Sequence, residues 1–176
     1  MLMWHLWAHF KYTLIHKLWV TYYCFEDGLY LQGILHDLSK FTPSEFLGYA
    51  DFFFKKNGEK IDTRDSSGYY DAAGTNKIGF DYAWNHHQKH NRHHWQYWAM
   101  IKDDGSIKCL DIPEIYLREM IADWRGAGKA QGNNPTGGYA KVVEYYSLNK
   151  SKIIMSDLSR IRFEAIISMR YKVHGY

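Results

Sequence analysis

The chain has 176 residues, 46% of them hydrophobic and 18% aromatic, which excludes a largely disordered protein and allows a sizeable core. Two cysteines exclude a disulfide framework and favour a reducing compartment. The formal net charge of +3 is too small to favour nucleic acid as a partner. The sequence has no internal repeats, heptads or glycine-rich phosphate loop, and it predicts a single domain over residues 1–176.

The first predicted element is one long helix from about Trp4 to Cys24. Charged residues and histidines interrupt its apolar residues, so we expect neither a signal peptide nor a membrane span, and a cytoplasmic protein. His5, His9 and His16 share one face of this helix at about 100° per residue. His16 is the preferred metal ligand on this face, with His9 as the alternative. The stripe predicted to pack on the core consists of Leu6, Phe10 and Leu14.

A His-Asp pair ends the second predicted helix, which runs from about residue 28 to residue 38. His36 and Asp37 offer an imidazole nitrogen and a carboxylate oxygen, ligands that suit Zn, Fe or Mn. Lys40 follows with an ammonium group, which suits a phosphate. The pair is therefore a candidate metal site beside a candidate phosphate contact.

The third predicted helix begins with the signature Thr42-Pro43-Ser44-Glu45 and runs to about residue 56. We expect Thr42 at the N-cap, Pro43 at the first helical position and Glu45 at the third. The predicted role of the signature is therefore structural, to cap the helix. Residues 57–76 then predict a long surface loop. Such a loop either lies over a binding site or is a plain exposed insertion.

Five histidines in nine residues fall on the next predicted helix, from about Phe80 to Trp95. Because each buried neutral imidazole needs a hydrogen-bond partner, core packing alone does not explain such a cluster. It predicts metal ligation by at least one member, with a surface chelator as the alternative. Two neighbouring faces carry these residues at helical spacing, His86, His90 and His93 on one and His87 and His94 on the other.

The remainder of the chain predicts a hairpin and three more helices. Two apolar runs flank Asp103-Asp104-Gly105, a favourable hairpin turn within residues 95–110. A second capping signature at residues 111–114 begins a helix to about Arg125, on which Glu119 and Asp123 share one face. Two further helices, over 139–148 and 156–173, complete an all-α fold with a small β-hairpin.

The order of these residues resembles the HD-domain superfamily of metal-dependent phosphohydrolases. Ligands in that family run His, His-Asp, Asp across an all-α core, and the run His36-Asp37-Leu38-Ser39-Lys40 is similar to its HD-x-[GS]-K version. Small bacterial and phage proteins with this His-rich signature resemble the chain most. The resemblance implies the metal ligands His16, His36, Asp37 and Asp123, with His86 and His94 for a second metal.

The resemblance also implies an HD-like helical bundle, one or two divalent ions (Mn, Fe, Zn or Mg) and a reaction. The expected reaction is hydrolysis of a nucleotide or other small phosphoester by a metal-activated water. Lys40 would neutralise the phosphate, and His90 or His93 would act as general acid or base. The alternatives are a non-catalytic metal- or nucleotide-binding protein and a di-iron oxygenase. Substrate identity, metal number and oligomeric state stay open.

Overall fold

The computed structural model describes residues 3–63, 70 and 77–174. These residues form seven α-helices and one two-stranded antiparallel hairpin, which confirms the predicted helical class with a small β excursion. Within these ranges, no helix combines the length and apolarity that crossing a membrane requires. The elements are α1 (Trp4–Glu26), α2 (Tyr30–Leu35), α3 (Pro43–Phe53), α4 (Lys77–His90), β1 (Ala99–Ile101), β2 (Ile107–Cys109), α5 (Glu114–Gln131), α6 (Tyr139–Asn149) and α7 (Asp157–His174).

The chain divides into two compact units, each built from two separate segments. Unit 1 consists of Met1–Ile15 and Asp37–His90, and unit 2 consists of His16–His36 and Asn91–Tyr176. The single domain over residues 1–176 stays a prediction.

Unit 1 is organised by the packing of α3 against α4. The rings of Phe52 and Phe80 stack with centroids 4.0 Å apart, and both side chains are buried. A Cβ at Gly48 would lie 2.4 Å from the carbonyl oxygen of Gly79, so glycine at this position permits the two helix backbones to approach closely. This packing fixes the side of α4 that carries His87.

Unit 2 has a core formed by α5, α6 and α7. Phe163 is fully buried, and the ring of Trp124 meets it edge-on at a centroid distance of 5.3 Å. Helix α5 continues to Gln131, beyond the end predicted near Arg125. A Cβ at Gly126 would lie 2.5 Å from Val20 Cγ2 and 2.9 Å from the Val20 backbone nitrogen, so this glycine is a packing position rather than a helix stop.

The buried face of α1 is its histidine face. His5, His9 and His16 are each at most 4% exposed, whereas Leu14 is 39% exposed. The prediction that Leu14 packs on the core is therefore wrong. Burial of these polar rings is tolerated because they have polar partners; His5 Nε2 lies 3.2 Å from Asp51 Oδ1.

Several predicted helix ends differ from the observed ones. Helix α4 ends at His90, so His93 and His94 lie on the turn that follows, and their predicted helical spacing is wrong. Helix α2 ends at Leu35, earlier than predicted, and α3 ends at residue 53 rather than near 56. Of the predicted loop, residues 64–69 and 71–76 lie outside the described residues, and Lys60 forms an antiparallel bridge with Phe54.

Candidate metal centre

The backbone at His36 is held by a lysine from α1. Lys17 Nζ donates hydrogen bonds to the carbonyl oxygens of Gly33, Ile34 and His36, at 3.3, 2.8 and 2.9 Å. The last carbonyls of a helix have no intrahelical partner, and a cation at this end also interacts favourably with the helix dipole. Lys17 therefore fixes the point at which the chain leaves α2 and presents the His36 imidazole.

Four buried side chains of unit 2 converge around this imidazole, and we call the five residues together the unit 2 centre. Asp123 Oδ1 lies 3.2 Å from His16 Nε2 and 3.4 Å from His36 Nε2. These three residues offer ligand atoms that all lie within 4.8 Å of one another. The members of the unit 2 centre are His16, His36, His93, Glu119 and Asp123.

The distances in this set fit a first-row divalent ion. Metal–nitrogen and metal–oxygen bonds of about 2.0–2.2 Å place neighbouring ligand atoms roughly 3.0–3.4 Å apart in octahedral or tetrahedral geometry. The observed separations from Asp123 Oδ1, 3.2 and 3.4 Å, lie in that range. Two imidazole nitrogens and a carboxylate oxygen also form a donor set that suits Zn, Fe or Mn.

Glu119 serves two of the imidazoles at once. Its Oε1 lies 3.0 Å from His36 Nδ1 and 3.2 Å from His93 Nδ1, so each ring donates an Nδ1–H to the same carboxylate. Nε2 is then the nitrogen of each ring that presents a lone pair to a metal, which is the arrangement of a carboxylate that orients histidine ligands. His36, His93 and Glu119 also offer ligand atoms that lie within 4.8 Å of one another, so they form a second candidate ligand set.

Both carboxylates of the centre are held in their ionised form. Burial alone would raise the pKa of Asp123, but the adjacent imidazoles of His16 and His36 outweigh burial and lower the pKa well below its ordinary value. Burial likewise opposes ionisation of Glu119, and hydrogen bonds from His36 and His93 lower its pKa. Two negative charges in a buried imidazole cluster provide the charge that a divalent cation requires.

The unit 2 centre brings together three residues predicted as ligands, His16, His36 and Asp123, from distant parts of the sequence. His93, predicted as a general acid or base, lies within it. Glu119 was not predicted as a site residue, although its position one helical turn before Asp123 was the available signal.

A second buried cluster lies in unit 1, around Asp37, and we call it the unit 1 cluster. Asp37 forms a 2.5 Å ion pair with Lys40 Nζ, and its Oδ1 lies 3.5 Å from His87 Nε2. Asp37 adopts a left-handed backbone conformation, with φ 54°, which aspartate tolerates better than most residues. Glu45, fully buried, accepts hydrogen bonds from His87 Nδ1 at 2.9 Å and from His86 Nδ1 at 2.7 Å.

The unit 1 cluster changes the role of Glu45. Helix α3 begins at Pro43 as predicted, but Thr42 makes no side-chain capping hydrogen bond, and Glu45 holds two imidazoles instead. Burial would raise the pKa of Glu45, but the hydrogen bonds from His87 and His86 lower it. Burial lowers the pKa of His87, although the carboxylates of Asp37 and Glu45 oppose that effect.

The remaining predicted residues lie near these clusters in different roles. His86, predicted as a ligand, donates to Glu45 and stacks on the ring of His90 at 3.7 Å. His90, predicted as a general acid or base, is exposed, and its Nδ1 donates to the His86 carbonyl oxygen at 2.7 Å. His94, predicted as a ligand, places its ring 4.3 Å from that of His93. His9, the alternative first ligand, packs among aromatic rings, with that of Phe46 at 4.9 Å.

Comparison with known proteins places the chain in a family. A family model described as "Family of unknown function (DUF5662)" matches residues 5–169. No curated protein and no solved structure matches the chain. Because the family model covers nearly the whole chain, the protein belongs to DUF5662, a family of unknown function.

Proposed function

We propose that this protein is a divalent-metal-dependent phosphohydrolase whose metal is held by the unit 2 centre. The observation that carries the proposal is the convergence of His16, His36 and Asp123 at distances that suit metal ligands, inside a buried cluster. The same three residues occupy the ligand positions implied by the HD-domain resemblance, which supports a catalytic rather than a purely structural site.

The residues of the centre divide into ligands and a positioning residue. His16 Nε2, His36 Nε2 and Asp123 Oδ1 bind the ion, and Glu119 fixes the tautomer and orientation of His36. His93 shares Glu119 with His36, which supports a ligand role for it as well. A bound divalent ion at such a centre supplies Lewis acidity, which lowers the pKa of water toward neutrality and polarises a phosphoryl oxygen.

The proposed substrate class rests on Lys40, the cation that precedes α3. Lys40 is the cation that neutralises a phosphate, and its side chain keeps 21% exposure while paired with Asp37. A nucleotide or other small phosphoester is the substrate class that the resemblance implies.

The metal part of the proposal is tested by metal content. Purified wild-type protein, loaded in turn with Mn, Fe, Zn and Mg and desalted, should retain about one or two ions per chain, measured by plasma mass spectrometry. His36→Ala and Asp123→Ala should lose most of the ion bound at the unit 2 centre. His90→Ala removes an exposed histidine and is the matched control that should keep full content. Full retention in His36→Ala and Asp123→Ala would end the proposal.

The reaction is tested separately on the loaded protein. Nucleoside mono-, di- and triphosphates and generic phosphoesters are offered, and phosphate or alcohol release is measured with each metal. Release that disappears in Asp123→Ala supports hydrolysis. Stoichiometric metal with no release leaves a binding protein, and dioxygen consumption by the iron-loaded form would replace hydrolysis with oxidation.

A further inference from the structure

Unit 2 carries an apolar face on its first segment that its own residues leave exposed. On α1 the exposed side chains recur at i, i+4 and i+7, and on α2 they occupy two adjacent pairs one helical turn apart. Each is between 41% and 62% exposed. We call this the α1–α2 face; it consists of Leu18, Tyr22, Phe25, Tyr30, Leu31, Ile34 and Leu35.

The two helices form one continuous surface. The rings of Phe25 and Tyr30 meet edge-on with centroids 5.2 Å apart, which joins the α1 part of the face to the α2 part. Behind the face, a Cβ at Gly33 would lie 2.9 Å from Cys24 Cβ, so α2 packs directly on α1 through this glycine. The close packing gives the face a fixed shape.

The α1–α2 face has no charge. The segment His16–His36 contains three charged side chains, and each is bound within unit 2. Lys17 donates to backbone carbonyls, Glu26 Oε2 lies 3.1 Å from Arg125 Nη2, and Asp27 Oδ1 lies 2.7 Å from Arg170 Nη2. A phosphate backbone or an anionic lipid surface is bound through basic side chains, so this face fits an apolar protein surface instead.

We infer that the α1–α2 face pairs two copies of this chain about a two-fold axis. At roughly 200 Å² for a large side chain, the exposed fractions of its seven members amount to about 770 Å². That matches the roughly 800 Å² that each partner buries in an interface of standard size, and it exceeds the apolar patch of a typical monomer. Two-fold homodimers are the commonest oligomers, and their interface uses the same patch twice. This inference does not depend on the metal centre or on the reaction.

The test is the mass of the 176-residue chain in sedimentation velocity, measured from about 1 to 100 µM. Interfaces of this size have dissociation constants of about micromolar or below, so a dimer would be populated in this range. The wild type should sediment at twice the 20.9 kDa chain mass. The double variant Leu31→Glu, Ile34→Glu places four carboxylates in the paired interface and should weaken dimerisation at least 100-fold. Its matched control, Leu148→Glu, Ile161→Glu, changes two side chains of unit 2 that are 74% and 65% exposed and should leave the dimer unchanged.

Every substituted position is exposed, so both double variants should fold as the wild type does. Circular dichroism checks that their helical content is unchanged. A wild-type monomer at 100 µM overturns the inference, and so does a dimer that the face variant leaves intact. Vesicles of neutral phosphatidylcholine are the second arm. A wild-type protein that floats with them as a monomer would assign the face to lipid and also overturn the inference.

Discussion

Replacing Glu119 by glutamine separates a positioning residue from a ligand. Glu119 Oε1 accepts hydrogen bonds from the Nδ1 atoms of His36 and His93, so a single carboxylate orients two rings. Glutamine keeps the shape and one acceptor oxygen but removes the negative charge that makes these hydrogen bonds strong. The expected result is a metal centre with its ligands present but less firmly oriented.

The size of the effect follows from that arrangement. Removing a group that orients a metal-bound histidine costs about 10- to 100-fold in metal affinity, and each tenfold loss corresponds to about 1.4 kcal/mol. For Glu119→Gln, which retains an acceptor, we expect about a 10-fold loss, and for Glu119→Ala, which disorders two rings, about 100-fold. Asp123→Asn removes a ligand charge and should cost more than either variant.

The assay is competition for Zn²⁺ or Mn²⁺ against a chromophoric chelator of known affinity. Glu114→Gln, on the exposed first turn of the same helix, is the matched control and should bind metal as the wild type does. A Glu119→Gln affinity equal to that of the control would refute the positioning role. A loss equal to that of Asp123→Asn would make Glu119 a ligand and favour the set His36, His93 and Glu119.

Three further predictions concern stability of the metal-free protein, measured by urea unfolding. Burial, with a contribution from Lys40, lowers the pKa of His9 from 6.5 to about 4. Between these pH values the unfolded chain binds a proton that the folded chain does not, so the free energy of unfolding should fall by about 3 kcal/mol on acidification from pH 6.5 to 4. His9→Gln should flatten this pH dependence. An unchanged slope in His9→Gln would contradict the assignment. Lys40→Met should lower the free energy of unfolding by about 2–3 kcal/mol because it leaves the buried Asp37 carboxylate without its ion-pair cation. Adding Asp37→Asn to Lys40→Met should recover part of that loss. If the losses of the two substitutions add instead, the ion pair does not stabilise the fold. Gly126→Ala should lower the free energy of unfolding by about 1–3 kcal/mol because its Cβ meets Val20. Adding Val20→Ala should relieve only the part of the clash that involves the Val20 side chain. A Gly126→Ala variant as stable as the wild type would show that α1 and α5 are less closely packed than described.

Local signals in the sequence were sufficient for much of the fold. Pro43 and Glu114 mark the observed starts of α3 and α5, and Gly105 forms the predicted hairpin turn with φ +80°. Such signals act within a few residues of one another, so their physical cause is contained in the sequence window itself. The end of α4 at His90 has a weaker signal, because Asn91 follows it but neither Pro nor Gly does, and the prediction extended the helix too far.

The candidate site was predictable only where the order of residues in the sequence indicated it. The order of His16, His36 and Asp123 indicated the candidate ligands that the structure brings together. The role of Glu119 depends on a contact with His36 across 83 residues, and no periodicity within one helix encodes such a pairing. Glu45 shows the same limit, because its position in the first turn of α3 suggested a cap, whereas its partners are imidazoles 41 and 42 residues later.

The most direct test of the metal centre is a crystal structure of the manganese-loaded protein with anomalous scattering data. The account predicts an anomalous peak in unit 2, about 2.0–2.3 Å from His16 Nε2, His36 Nε2 and Asp123 Oδ1, with Glu119 still bound to His36 Nδ1. A stoichiometrically loaded protein whose peak lies away from these three atoms would contradict it.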